Sequence, residues 1–237
     1  MESLFVYTSP PSPCSYLPDR DASLTYEMVG ALSAAEYQTR LTAGWRRFGF
    51  TMFRPACRGC SECRSLRVPV AAFKPDRSQR RCLATNAPDV RLAIGAPAVT
   101  AEKLDLYDRF HGSQSERVGW SHHGPKDASD YAESFVDNPF ATQEWCYYLG
   151  KKLVGVGYVD RVPDGLSAIY FFHDPDERPR SLGTFNVLSV IRQAAEWKVP
   201  HVYLGYFVEG CRSLEYKARF RPNEAIGASG EWDPFRT

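Results

Sequence analysis

The sequence predicts an α+β fold built on a mostly antiparallel sheet. Strand patterns over 144–149, 153–160 and 167–173 follow one another in a meander, joined by tight turns at Gly150-Lys151 and Pro163-Asp164-Gly165. An amphipathic helix over 182–197, a strand over 201–205 and a short helix over 212–219 come next, and strands followed by alternating helix and strand indicate an α+β layer. The chain has 237 residues, 43% hydrophobic and 24% charged, enough for one large domain or two small ones around a buried core.

Read from the start, residues 1–30 look irregular and Pro-rich, with Cys14 in PCSYLPDR. LSAAEYQTRLTAGWRRFGF reads as one helix. Ser33 and Glu36 form a capping box, and Leu41, Trp45 and Phe48 share a face. Short strands are expected over 51–54 and 66–70. A helix over 74–86 puts Arg77, Arg80 and Arg81 on one side, Pro88 ends it, and 90–94 is a strand. Gly-Ala-Pro-Ala at 95–98 is the best linker, which divides the chain into domains 1–97 and 98–237. Thr100 caps a helix to about residue 114, a looser segment carries His122 and His123, and 127–137 is helical.

No apolar run approaches the ~20 residues of a membrane span. The first twenty residues have neither the basic nor the apolar region of a secretory leader, so a cytoplasmic chain with reduced thiols is expected. The net charge of +1 is unevenly spread. Residues 40–91 hold twelve Arg and Lys against three acids, a local +9, and Arg outnumbers Lys eleven to one. Such a block suits a polyanion, and Arg is the better phosphate fork. Arg46, Arg47, Arg77, Arg80 and Arg81 are the expected phosphate contacts.

Cys57, Cys60 and Cys63 form C-x-x-C-x-x-C, a spacing that lets three thiolates face one centre. Cys14 is the natural fourth ligand and His122 or His123 the second choice. Zinc and an iron–sulfur cluster share this spacing. Cys82, Cys146 and Cys211 read as small buried hydrophobes.

Near the C-terminus, RPRSLGTFNVLSVI places Ser181, Gly183 and Thr184 at a helix N-terminus, where main-chain N–H groups and the helix dipole favour an anion. The stretch resembles the acyl-CoA pyrophosphate loop of Gcn5-type acyltransferases, with Arg180 and Gly183 on pattern. Phe185 replaces its last small residue, which counts against CoA itself. In HVYLGYFVEGCRSLEYKARFRPNE, tyrosines interleave with Glu209, Lys217, Arg219 and Arg221.

Taken together, CSYLPDR, FRPACRGCSECRSLRVPV, FKPDRSQRR, SLGTFNVLSVI and VYLGYFVEGCRSLEYKARFRPNE resemble the arginyl-tRNA–protein transferases, in their short bacterial, leucine-transferring branch. The resemblance spans nearly the whole chain. It implies an N-terminal cysteine-bearing domain, a C-terminal Gcn5-like (GNAT-type) domain, and transfer of leucine from Leu-tRNA to the N-terminal amine of proteins beginning with Asp or Glu, marking them for N-degron degradation. An aminoacyl ester is already activated, so no cofactor is required for transfer. The enzyme must hold ester and amine together, stabilise an oxyanion and move one proton. Residue type and position suggest Tyr206 as the oxyanion donor and Glu209 as the proton acceptor. Lys217, Arg219 and Arg221 are candidates for reading the acidic acceptor, and Ser181, Gly183 and Thr184 join the tRNA contacts. The cysteine site is a possible structural or regulatory one. Arginyl transfer, an acetyl-CoA-dependent acyltransferase and a metal-bearing RNA-binding module are the other readings.

Overall fold

The computed structural model describes residues 1–121, 124–227 and 230–235. The segment expected to be irregular is strand at both ends: β1 (Glu2–Thr8) pairs antiparallel with β4 (Leu24–Ala31), and a small hairpin of β2 (Ser12–Pro13) and β3 (Asp21–Ala22) lies between them. β-branched and aromatic residues in LFVYT and LTYEMV favour extended chain, and the prolines are confined to the connection. The capping box of α1 (Ala34–Thr42) is present, but the helix stops well short of residue 50. Gly44 takes φ +81° and turns the chain into β5 (Arg46–Phe48). β6 (Thr51–Pro55) completes a four-stranded sheet in the order β1-β4-β6-β5.

The remaining elements are β7 (Arg64–Pro69), α2 (Arg77–Asn86), β8 (Val90–Gly95), α3 (Ala101–Val118), α4 (Ala128–Tyr131) with a π turn over Ala132–Val136, and the meander β9 (Thr142–Leu149), β10 (Lys152–Val162) and β11 (Gly165–His173). Then come α5 (Leu182–Glu196), β12 (His201–Phe207), α6 (Arg212–Glu215) with a 3-10 turn over Tyr216–Arg219, β13 (Glu224–Ile226) and β14 (Trp232–Pro234). Among the described residues they build an eight-stranded sheet, β14-β13-β7-β12-β11-β10-β9-β8. Its pairs are antiparallel except β11 with β12.

The expected division at 97/98 falls between elements that share this sheet. β7 and β8 precede that point yet belong to the same sheet as β9–β12. Both faces of the sheet are covered. On β9, Trp145 and Tyr147 join one core with α2 and α5, while Cys146 between them joins another with α3 and the 131–136 turn. A third core, with Tyr37, Leu41, Met52, Val162 and Tyr203, fastens the four-stranded sheet to the larger one. Inside the second core, Lys103 is paired with Glu144, which also accepts from Tyr158, and Tyr158 lies 2.6 Å from the Tyr131 hydroxyl. None of the described helices is long and apolar enough to cross a membrane.

Candidate active site

The centre of the large sheet is open. Among the described residues β11 and β12 pair at three positions, Gly165 with His201, Leu166 with Val202 and Ser167 with Tyr203, and then part. β11 stays paired to β10 as far as His173, and β12 to β7 as far as Phe207. The two strands therefore diverge with their facing main-chain edges turned into the gap, where N–H and C=O groups seek partners.

Arg46 reaches into this gap from β5. Its Nη2 donates to the Ala168 carbonyl at 2.6 Å, and its guanidinium lies against Gly205. A Cβ at Gly205 would stand 3.4–3.5 Å from three guanidinium atoms, and Gly205 adopts φ +83° at a register shift between β12 and β7. Glycine at this position lets a backbone bulge and an arginine share the space.

Arg46 and Arg47 were expected on a phosphate-binding surface, and both are buried. Successive strand residues point to opposite faces, so Arg47 faces away from the gap. It holds Asp160 through Nε at 2.9 Å and Nη2 at 3.0 Å, and also donates to Gly49 O, Asn138 and Thr142. Every strong donor of Arg47 is thereby engaged inside the protein, and a phosphate cannot reach it. Arg77, Arg80 and Arg81 are exposed along α2 as expected. The Gln79 side chain between them donates to Arg219 O at 3.0 Å, which sets α2 beside the 3-10 turn. The exposed cations Arg77, Arg80, Arg81, Arg219 and Arg221 thus form one basic surface.

Lys217 projects inward from the same turn. Its stem is half-exposed, but its amine lies inside, donating to Tyr206 O at 3.0 Å. Loss of hydration together with the nearby Arg46 charge lowers its pKa from the ordinary 10.5 to about 7, against a small opposing effect of Cys211. Tyr206, the expected oxyanion donor, is buried, with its hydroxyl 3.1 Å from Gly44 O and 3.2 Å from Phe53 O. Its proton serves as a tie between β12 and the small sheet. Glu209 is exposed in the turn that follows β12.

At the far end of β11, Ser181 takes a left-handed conformation at the head of α5 and makes no side-chain cap. Ser181 is exposed, Gly183 and Thr184 are half-exposed, and no atom stands within 4 Å of a Cβ built on Gly183. Phe185 is instead core, edge-on to Tyr147. Arg180 is committed to Asp89 at 3.0 and 2.9 Å.

The four cysteines share one neighbourhood, close to the gap. Burial, and then the charges of Cys57, Cys14, Cys60 and Cys211, push the Cys63 thiol up to about 12. Arg20 donates to Cys60 Sγ at 3.4 Å, and the Ser23 N–H to Cys57 Sγ at 3.4 Å. Four thiols are the right donors for a soft metal, but among the described residues no three His, Cys, Asp or Glu side chains are gathered closely enough to hold one. His122 and His123 lie outside the described residues. Cys82, Cys146 and Cys211 are buried, and Cys211 stands next to the cluster rather than apart from it.

Sequence reasoning named Lys217 but not its inward amine, and gave Arg46 the wrong surroundings. The available signal was Gly205, a glycine inside an otherwise bulky strand, which marks close approach by another group.

Two family models match the chain: "Arginine-tRNA-protein transferase, N terminus" over residues 12–81 and "Arginine-tRNA-protein transferase, C terminus" over 102–227. Aspartate/glutamate leucyltransferase from Nitrosococcus oceani is 38% identical over 220 residues, covering 92% of this chain and 91% of the relative. The protein of that name from Marinobacter nauticus is 37% identical over 241 residues, covering 100% and 98%. Among solved structures, FemX superposes with a TM-score of 0.52 at 7% identity, covering 92% of this chain and 84% of that one. The C-terminal domain of a protein assigned as a lysylphosphatidylglycerol synthetase from Agrobacterium fabrum gives 0.50 at 14% identity, covering 75% and 60%. These two likenesses concern the fold alone. The first matched segment supplies Arg46 to the open gap and the second supplies both strands that border it, β11 and β12, and the chain belongs to the arginine-tRNA-protein transferase family.

Proposed function

We propose that the chain transfers leucine from Leu-tRNA to the N-terminal amine of proteins that begin with Asp or Glu. The observation that carries this reading is end-to-end similarity to relatives named aspartate/glutamate leucyltransferase. The splayed parallel pair and the α5 N-terminus support a Gcn5-type reading of the large sheet, with the aminoacyl ester entering between β11 and β12. The open half of β11 reads Ile169-Tyr170-Phe171-Phe172, without a carboxylate, which suits an apolar donor side chain better than arginine.

In the reaction the acceptor's α-amine attacks the ester carbonyl. The bond from carbonyl carbon to ribose oxygen breaks, and the amine proton is lost as the ribose hydroxyl gains one. Main-chain N–H groups on the parted edges receive the oxyanion in this reading. Arg46 holds the gap open and supplies positive charge. Lys217, whose pKa of about 7 leaves a neutral fraction near that pH, accepts the proton in place of Glu209, which is exposed to water. Arg219 and Arg221 read the acidic side chain of the acceptor. The tRNA backbone lies along Arg77, Arg80 and Arg81, and the α5 N-terminus at Ser181, Gly183 and Thr184 takes a phosphate near the 3′ end. Modification of this kind marks the acceptor for N-degron degradation, in the cytoplasm.

Zinc or an iron–sulfur cluster at Cys14, Cys57, Cys60 and Cys63 is part of the proposal on donor type alone. No step passes through it, and metal analysis of the purified chain against Cys60→Ser tests it. The function itself is tested with purified protein, labelled Leu-tRNA and peptides beginning with Asp, Glu or Asn. The expected result is gain of one leucyl residue at the α-amine of the acidic peptides. Transfer of arginine instead, or of acetyl from acetyl-CoA, would refute it.

A further inference from the structure

Among the described residues, one face of the four-stranded sheet is open to solvent toward β1, while its β5 end packs against the large sheet. Tyr7 of β1 stands opposite Tyr26 of β4, Tyr26 opposite Phe53 of β6, and Phe53 opposite Arg46 of β5. The rings form a row across the sheet. Tyr7 and Tyr26 stack at 5.1 Å and 22°, Tyr26 and Phe53 are 6.5 Å apart, and Phe53 is 6.3 Å from Tyr206. Tyr7 is 50% exposed, Tyr26 and Phe53 are half-exposed, and Phe5 stacks beside Tyr7 with 52% of its surface open. Ordinary monomers do not leave such a run of rings in water without use.

The row ends at the gap, because Arg46 at its last position is the residue that enters between β11 and β12. Strands lie ~4.8 Å apart, so four positions span about 15 Å from the sheet edge to the site of transfer. Charge on this face suits an anion. The acid of β4, Glu27, is buried on the opposite face against Arg40, and Glu2 lies over Gly30 at a far corner. Arg46 stands at the inner end of the row, and Arg20, beside Cys60, has the Glu62 carboxylate at 4.0 Å.

The geometry points to this face as a stacking platform for the unpaired bases at the 3′ end of the donor tRNA, with Tyr7, Tyr26 and Phe53 carrying successive bases toward the gap. The inference rests on the proposed function, since the ester at the terminal ribose must lie in the gap and the unpaired nucleotides must then run over an adjoining surface. Sheet faces with exposed aromatic side chains bind single-stranded RNA by stacking, with little demand on sequence. A protein acceptor suits the place less well. An extended peptide adds to a strand edge through its main chain and does not lie across the rings of a sheet face.

The experiment measures affinity of the full chain for two uncharged acceptor-stem hairpins, one with the unpaired 3′ end and one without. Wild type is expected to prefer the first. Tyr7→Leu and Tyr26→Leu should each lower that preference about tenfold and leave the blunt hairpin's affinity unchanged, while Tyr26→Phe keeps it. Tyr7, at the exposed edge, carries the test alone if Tyr26→Leu disturbs the sheet. A preference unchanged in Tyr7→Leu overturns the proposal. So does a raised KM for the acceptor peptide with the hairpin preference intact, which would give the face to the protein substrate. Failure of the underlying reading shows separately, as absence of leucyl transfer by wild type.

Discussion

Arg46 and Arg47 are neighbours on one short strand, and the two sides of that strand have opposite characters. On the Arg47 side a guanidinium and the Asp160 carboxylate are both shut away from water, and every contact is saturated. On the Arg46 side the guanidinium faces two strands that have come apart, an aromatic row open to solvent and an amine held near neutrality. The first side holds the small sheet to the large one. The second leaves hydrogen-bonding capacity unspent where a substrate can use it. A charge run in a sequence cannot distinguish these roles, because alternation along a strand sends adjacent residues to different surroundings.

The sharpest way to break this contrast is to remove each arginine in turn. Arg47→Met leaves Asp160 buried without its partner and should destabilise the fold by ~3–5 kcal/mol, read from denaturant midpoints. Arg46→Met should shift the midpoint much less and remove transfer. Equal effects on stability would show that both sides are scaffold.

Lys217 sharpens the chemical half of the contrast. Lys217→Met should lower kcat/KM by about a hundredfold while acceptor KM stays within a few-fold. Wild-type kcat/KM should rise through about pH 7, together with titration of the acceptor amine near ~7.7, and the variant should keep only the latter. The folded pKa lies below the ordinary value, so the unfolded chain binds more protons between about 7 and 10.5. Stability from this group therefore rises with pH across that window and is least favourable below 7, and Lys217→Met should flatten the dependence. A wild-type profile identical to the variant's would remove Lys217 from proton transfer.

On the exposed basic surface the effects are smaller. Arg219→Gln or Arg221→Gln should reduce the preference for Asp over Asn acceptors by roughly tenfold or somewhat more, as expected for a charge-assisted hydrogen bond of ~1.5–3 kcal/mol, and spare tRNA binding. Equal loss on both peptides would assign the two arginines elsewhere. Arg80→Gln with Arg81→Gln should lower the salt slope of tRNA binding by up to about two charge units. A slope left unchanged would move the backbone contact off α2.

Much of the architecture was legible because it rests on local signals. The Ser33–Glu36 capping box, the Thr100 cap and the tight turns at Gly150-Lys151 and Pro163-Asp164-Gly165 all act over a few residues. What was not legible depends on distant partners. β1 looked irregular because its seven residues are exposed, with no inward-facing alternation to read. The division at 97/98 was read from the local Gly-Ala-Pro-Ala signal, which carries no trace of β7 finding its partners in β12 and β13, more than a hundred residues along the chain. At the site, Cys57, Cys60 and Cys63 were grouped by spacing and Cys14 joined them from its Pro-flanked segment, whereas the approach of Cys211 is visible only in three dimensions. Lys217 was legible as a cation and illegible as a desolvated amine, because desolvation is a property of the packed chain.

The shared sheet limits how this enzyme can be divided. β7 is contributed from before the linker and lies between β12 and β13, which come from after it. A fragment beginning at the linker would expose the raw edges of two strands in the middle of its sheet and lose Arg46 from the gap. Exchange of whole halves between family members must therefore preserve strand register along three hydrogen-bonded seams, β7 with β12, β7 with β13 and β8 with β9. A cut at the Gly150-Lys151 turn does no better, since it parts β9 from β10 and still parts β7 from β12 and β13.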